Sequence, residues 1–177
     1  MFPKMENYCR QQREDRLIKK LSSLALNAIL TEISLTPKPG LVDKFSNGSH
    51  SDMNFQTFVS SSAAISQGFN EMVRAGLTFT DHDLAKALPL IRKIGLEMET
   101  AMFTTTNGVN TQKGIIFLMG LCLFTCGKLI GQSGKFDKEE FRLVIMNICK
   151  NLIYNELASR PHSVSYTHLT LPTILRV

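Results

Sequence analysis

The chain reads as an all-α protein, a multi-helix bundle with a central apolar helix at about 111–131. Three observations predict it. Apolar residues recur at three- and four-residue spacing in successive stretches. No stretch before the tail at Ser163 shows the period-two alternation of a strand. The most apolar stretch, Ile115 to Phe124, is entered through a polar turn, as a buried helix at the centre of a bundle should be. At 177 residues with 44% hydrophobic content, the chain fits one domain with a sizeable core, expected over 1–160.

From Glu14 to Ser34, Leu17, Leu21, Leu24 and Ala28 mark an amphipathic helix, its stripe widened by Ile18, Ala25 and Ile29. Glu32 lies one turn before its end, where a negative charge opposes the helix dipole; it is either solvent-facing or turned toward the next loop. Pro37 and Pro39 disfavour the α conformation at the residues before them, so the helix should end near Leu35. Phe55, Phe58, Val59, Ser62, Ile65, Phe69 and Met72 predict a second helix running to Ala75, with Asp52 as N-cap and Gly76 as its stop. Thr80 and Asp83 open a short helix. Pro89 belongs in the first turn of the next, Leu88 to Thr104, whose core side is Ile91, Ile94, Met98 and Met102. Arg92 and Glu99, two turns apart, either project toward a common pocket or form a solvated face.

The segment TTTNGVNTQKG, Thr104 to Gly114, then starts the central helix. Asn107-Gly108 favours a turn, and Asn110 or Thr111 is a natural N-cap. Gly114, Gly120, Gly127 and Gly131 lower helix propensity, which suits neighbouring helices that approach closely. Asp137 and Glu140 form a capping-box-like pair for a last helix with core side Phe141, Ile145, Ile148 and Leu152, ending near Ala158.

Twenty Lys and Arg against fifteen Asp and Glu give a net charge of +5, but the basic residues are scattered apart from Arg10, Arg13, Arg16, Lys19 and Lys20. No aromatic residues interleave with that cluster, so a solvated helix face is expected there and no nucleic-acid partner. Cys9, Cys122, Cys126 and Cys149 contain no CxxC pair and suit a reducing compartment. The opening MFPKMENYCRQQRED carries no apolar signal-peptide core, and the longest apolar run is short for a bilayer span; a cytoplasmic protein without a membrane partner is expected.

Function should centre on the loop Thr36 to Met53, TPKPGLVDKFSNGSHSDM. It concentrates two prolines, two glycines, Lys38, Lys44, Asp43, Asp52 and His50 between two helices. A long loop without regular structure is usually functional or disordered, and Leu41, Val42 and Phe45 within it argue for order. The turn before the central helix is the second polar concentration. There the first-turn N–H groups lack internal partners, the helix dipole is positive and Lys113 adds a full charge, a combination suited to phosphate. Both polar concentrations lie at helix ends and should meet at one pocket.

In order and spacing, TPKPGLVD, GSHSDM, LIRKIGLEME and TNGVNTQKGIIF resemble the triphosphoribosyl-dephospho-CoA synthase family, over about residues 14–158. The resemblance implies an all-helical transferase that joins ATP to 3′-dephospho-CoA with release of adenine. The product is the precursor of the prosthetic group on the citrate lyase acyl carrier subunit, and a sister branch serves malonate decarboxylase. It further implies catalytic roles for Asp43, His50, Asp52 and Glu99, with Glu99 as base. Nucleotide or phosphate contacts fall to Lys38, Asn110, Thr111, Lys113 and Arg92, and Mg²⁺ to Asp43 and Asp52. Two positions depart from the family's usual GGVNTHKG: Asn107 stands for glycine and Gln112 for histidine, and Gln112 hydrogen-bonds but takes no proton. The family's later polar motifs do not follow Arg160. The run VSYTHLTLPT resembles a translated sequencing adapter, so 161–177 is expected to be a non-native tail and the chain an inactive fragment. A helical nucleotide- or protein-binding module and a helical nucleotide hydrolase are the alternatives.

Overall fold

The computed structural model describes residues 2–152, and every regular element in it is helical. Six α-helices follow in order: α1 (Phe2–Ser34), α2 (Phe55–Ser66), α3 (Phe69–Thr78), α4 (Ala87–Thr105), α5 (Lys113–Ser133) and α6 (Lys138–Cys149). A single 3-10 turn, Leu84–Lys86, precedes α4. The expected tail at 161–177, and the expected end of the last helix near Ala158, lie outside the described residues.

Helix α5 is central. It packs most extensively against α3 and also touches α1, α4 and α6. Its length and apolarity would suffice to cross a membrane, but half of it is buried inside the bundle, which accounts for its composition. The glycines explain the closeness. A Cβ at Gly76 of α3 would overlap the Phe124 carbonyl oxygen, and one at Gly127 of α5 would overlap the Val73 carbonyl oxygen. The two backbones therefore touch directly, as small residues at a crossing allow. At Gly120 and Gly131 a Cβ would come within 2.9 Å of Met72 Cε and 2.5 Å of Leu77 Cδ2. Gly114 differs from the expectation, because nothing lies within 4 Å of a Cβ placed there. Phe124 and Phe79 meet edge to face with ring centroids 5.3 Å apart. Lys128 lies 5.2 Å from the Phe79 centroid and donates to the Phe79 carbonyl at 3.3 Å. A buried lysine is accommodated there because the end of α3 presents carbonyls, the negative end of its dipole.

The long helix corrects the predicted stripe. Helix α1 begins at Phe2, well before Glu14, and its buried line is Ile18, Ala25, Ile29 and Ile33. Leu24 is 54% exposed. Both lines have helical periodicity and are offset by one position, about 100° around the axis, so spacing alone does not select the inner one.

The predicted second helix is two. It breaks at Gln67–Gly68, where glycine lowers helix propensity, and a Cβ at Gly68 would overlap the Met98 side chain of α4. Gly76 does not stop the helix; α3 runs on to Thr78. The N-cap of α2 is Asn54, not Asp52: Asn54 Oδ1 accepts from Thr57 N at 3.0 Å and Thr57 Oγ1 accepts from Asn54 N at 3.2 Å, a reciprocal capping box. Helix α4 buries Ile91, Ile94, Met98 and Met102 as expected. Asp83 caps the 3-10 turn by accepting from Ala85 N, and Asp137 caps α6 by accepting from Glu140 N at 2.8 Å. The inward side of α6 centres on Val144 and Ile148, with Phe141 and Leu152 partly buried beside them.

Candidate functional site

The loop 35–54 is ordered by hydrogen bonds, by two glycines and by one of the three apolar residues expected to anchor it. Val42 is buried, but Leu41 is 56% and Phe45 87% exposed. Gly40 and Gly48 both have positive φ, at 76° and 59°. A Cβ at Gly48 would lie 2.6 Å from the Gly40 carbonyl, so the loop crosses its own backbone there. Asp43 holds the crossing. Its Oδ1 accepts from the backbone N–H of Phe45 at 2.8 Å and Ser46 at 2.9 Å, and its Oδ2 accepts from the Thr36 hydroxyl at 2.7 Å and Lys38 N–H at 3.1 Å. The Phe45 N–H above all, then the Thr36 hydroxyl and Lys38 N–H, favour the carboxylate and hold its pKa at about 2 against an ordinary 3.8.

Lys38 folds back on α1. Its Nζ lies 3.2 Å from both the carboxylate and the backbone carbonyl of Glu32, so Glu32 faces the loop and a lysine sits at the helix C-terminus, where the dipole favours it. His50 Nδ1 stands 3.7 Å from Asp52 Oδ1 at the far end of the loop.

From Asp52 the loop leads into a cleft of about 390 Å³ between the start of α2 and the α4–α5 turn. Asp52, Thr57 and Ser60 line one wall; Thr105, Asn107 and Val109 line the other. The two polar concentrations of the sequence therefore do meet, through Asp52 on one side and the Asn107 turn on the other. The turn is shaped by Asn107 and Gly108, at φ 55° and 86°, and by the Thr106 hydroxyl, which bonds to the carbonyls of Met102 and Val109.

Beyond the turn, Asn110 Oδ1 accepts from Lys113 N at 3.2 Å, but the N-cap of α5 is Gln112, not the expected Asn110 or Thr111. Thr111 does not cap; its hydroxyl donates to Ser61 Oγ at 2.6 Å. Gln112, 4% exposed, is the N-terminal flank of α5. Its Nε2 donates to Ser62 Oγ at 2.9 Å, its Oε1 lies 3.3 Å from both Ser61 Oγ and Ser62 Oγ, and its backbone N–H points at Met102 Sδ. This buried network ties the head of α5 to α2. Sequence reasoning missed its serine half, although three consecutive serines, Ser60 to Ser62, inside an apolar stripe were the signal.

Lys113 Nζ pairs with Glu99 at 3.1 Å; the Glu99 side chain is 19% exposed and that of Lys113 49%. For Arg92 and Glu99 the alternatives are a common pocket or a solvated face, and Glu99 pairs with Lys113. Arg92 stands two turns away beside Cys149 of α6, where its charge offsets part of the burial that raises that thiol's pKa. Among the described residues no three His, Cys, Asp or Glu side chains gather as metal ligands. With both Asp43 oxygens engaged twice over, the Asp43–Asp52 pair does not fit the Mg²⁺ role implied for it.

Comparison with known proteins is consistent along the chain. Over 151 residues it is 38% identical to a Photobacterium profundum protein named "Probable 2-(5''-triphosphoribosyl)-3'-dephosphocoenzyme-A synthase", covering 83% of this chain and 48% of that one. Proteins of the same name from Vibrio cholerae and Streptococcus pyogenes are 40% identical over 144 residues and 39% over 131, covering 81% and 70% of this chain and 46% and 45% of theirs. The chain thus spans about half the length of the curated relatives it matches. No solved structure matches. The family model described as ATP:dephospho-CoA triphosphoribosyl transferase matches residues 18–170, and the chain belongs to that family.

Proposed function

We propose that this chain carries nucleotide-binding and reacting groups of a triphosphoribosyl transferase. It would act on ATP and 3′-dephospho-CoA, and the product would serve the acyl carrier subunit of citrate lyase or its malonate decarboxylase counterpart. The observation that carries the reading is the Glu99–Lys113 pair at the head of α5, across one short turn from the polar cleft. The Lys113 side chain is 49% exposed, a Cβ at the adjacent Gly114 meets nothing within 4 Å, and the residues after Lys113 begin a helix, whose N-terminus favours an anion.

In this reading the triphosphate of ATP takes Lys113 and the amides after it. Glu99, released from its ion pair, accepts the proton of the attacking ribose 2′-hydroxyl of dephospho-CoA. The C1″–N9 bond of ATP breaks with its electron pair leaving on adenine, which is protonated as it departs, and the C1″–O2′ bond forms in its place. In this reading His50, 3.7 Å from the cleft residue Asp52, supplies that proton. Asp43 keeps the loop in shape and so acts at a distance. Lys38 would reach phosphate only by leaving Glu32, and Arg92, beside α6, would meet it outside the cleft. The test is to titrate ATP against dephospho-CoA and follow adenine. A transferase requires both substrates, a hydrolase releases adenine or phosphate with ATP alone, and a binding module releases neither. Lys113→Ala should weaken ATP binding in a protein of unchanged helical content; unchanged affinity would remove the phosphate assignment.

A further inference from the structure

The lining of the cleft differs in kind from the ground around Lys113. No lysine or arginine lines it, and its single charge is the carboxylate of Asp52. A triphosphate placed there would meet repulsion and no cation. What the cleft holds is neutral hydrogen-bonding capacity, and much of it is unengaged. Asn54, Thr57 and Thr106 are occupied by the cap of α2 and by the turn. By contrast, the side chains of Gln56, Ser60, Thr105 and Asn107 make no hydrogen bond among the described residues. Gln56, Thr105 and Asn107 are exposed and Ser60 is half-buried, so each can exchange water for a ligand without breaking a bond within the fold.

We propose that this cleft takes the uncharged nucleoside end of the nucleotide, with the phosphates outside it at Lys113. This rests on the reading of the chain as a nucleotide-binding transferase. The chemistry fits part by part. An exposed carboxylate such as Asp52 suits the hydroxyls of a ribose, as acidic residues do in other nucleotide sites. Carboxamides such as Gln56 and Asn107 present a donor and an acceptor side by side, the pattern that pairs with the amino group and ring nitrogen of adenine. A volume of about 390 Å³ is within the range of small-molecule pockets. The chain then leads from one end of the ligand to the other. Val109 is in the cleft wall, Asn110 holds the Lys113 amide, and Thr111 is bonded to Ser61, the neighbour of the cleft residue Ser60. Cleft and cation are two ends of one turn, so a nucleotide lying along the turn keeps its base away from the cation and its phosphates away from Asp52.

The experiment measures binding of three probes, adenosine, inorganic tripolyphosphate and ATP, to the full chain by calorimetry. Ser60→Leu fills the cleft, Thr105→Val removes one hydroxyl at constant shape, and Lys113→Ala removes the cation. Ser60→Leu should weaken adenosine and ATP by about tenfold or more and leave tripolyphosphate unchanged. Thr105→Val should weaken the same two by about three- to tenfold, and its isosteric change keeps the test valid should the leucine disturb α2. Lys113→Ala should do the reverse, weakening tripolyphosphate and ATP and sparing adenosine. If both cleft variants leave adenosine and ATP binding intact, or weaken tripolyphosphate as much as adenosine, this assignment is overturned while the transferase reading stands. If wild-type protein binds ATP nowhere, both fall together.

Discussion

Substituting alanine for glycine at four helical positions should give three different outcomes, and the structure sets the sign of each. In a helix interior the change is worth about 0.5–1 kcal/mol in favour of alanine, because glycine loses more chain entropy on folding. At Gly95 of α4 that gain should appear almost intact, since the new methyl group meets only Ile116 Cγ2 at 3.6 Å, an ordinary contact. At Gly76 the methyl group would overlap the Phe124 carbonyl oxygen and come within 2.8 Å of Phe124 C and 2.9 Å of Lys128 N. At Gly127 it would overlap the Val73 carbonyl oxygen, with Val73 C at 3.2 Å and Leu77 N at 3.3 Å. These are backbone atoms of a packed helix and have no rotamer to retreat into. Helices α3 and α5 must therefore separate by roughly 1 Å, taking contact with other core side chains along their length.

Overpacking of that kind costs about 3 kcal/mol or more at rigid sites, which exceeds the propensity gain and leaves a net loss of about 2 kcal/mol at Gly76 and at Gly127. For a domain of this size that is a fall in melting temperature of about 4–8 °C, against a rise of about 1–4 °C for Gly95→Ala. Gly120→Ala should fall between, because the atom it meets is the flexible end of Met72. The Gly76→Ala/Gly127→Ala double variant should lose less than the sum of the singles, as one separation of the helices relieves both clashes. Thermal and urea unfolding followed by circular dichroism measure all of these. A Gly76→Ala or Gly127→Ala protein as stable as wild type would refute the direct backbone contact between α3 and α5, and with it the placement of α5 at the centre.

Three further outcomes follow from the local chemistry. Because Asp43 is held at about pKa 2 in the fold and returns to about 3.8 on unfolding, its contribution is complete above pH 4 and disappears as pH falls toward 2. Urea midpoints of wild type should therefore drop more steeply across that window than those of Asp43→Asn, and parallel curves would contradict the assignment. Asn54→Ala removes the cap of α2 and should cost about 1 kcal/mol, seen as a lower urea midpoint at unchanged slope. Cys9, exposed on α1, should react first with a thiol reagent under native conditions. Burial raises the thiols of Cys122 and Cys149 and raises Cys126 to about 11, so all three should react fast only in denaturant. Rapid native labelling of Cys126 would show the α5 core to be open.

What the sequence made legible was what depends on neighbours along the chain. The face of α4, the cap Asp137 and the turn at Asn107-Gly108 follow from spacing within a few residues and are found, and α5 runs 113–133 against an expected 111–131. What it hid depends on contacts across the bundle. The need for glycine at Gly68 is set by Met98, some thirty residues on, and that at Gly76 by Phe124. The choice between two parallel stripes on α1 is made by whatever packs on it.

The same division explains the site. Asp43, Asp52 and Glu99 are three carboxylates in polar surroundings, and residue type alone does not tell which serves the fold and which the chemistry. The structure separates them by how much hydrogen-bonding capacity each has left. Asp43 accepts four bonds from its own loop, so a proton or a metal would have to displace the interactions that shape the loop. Asp52 has one imidazole at 3.7 Å and an open cleft before it, and Glu99 has one lysine that a phosphate would compete for. A carboxylate whose acceptors are filled by backbone amides is serving the fold, and one held by a single exchangeable cation is available for chemistry. That distinction depends on counting donors in three dimensions, which spacing along a chain does not encode.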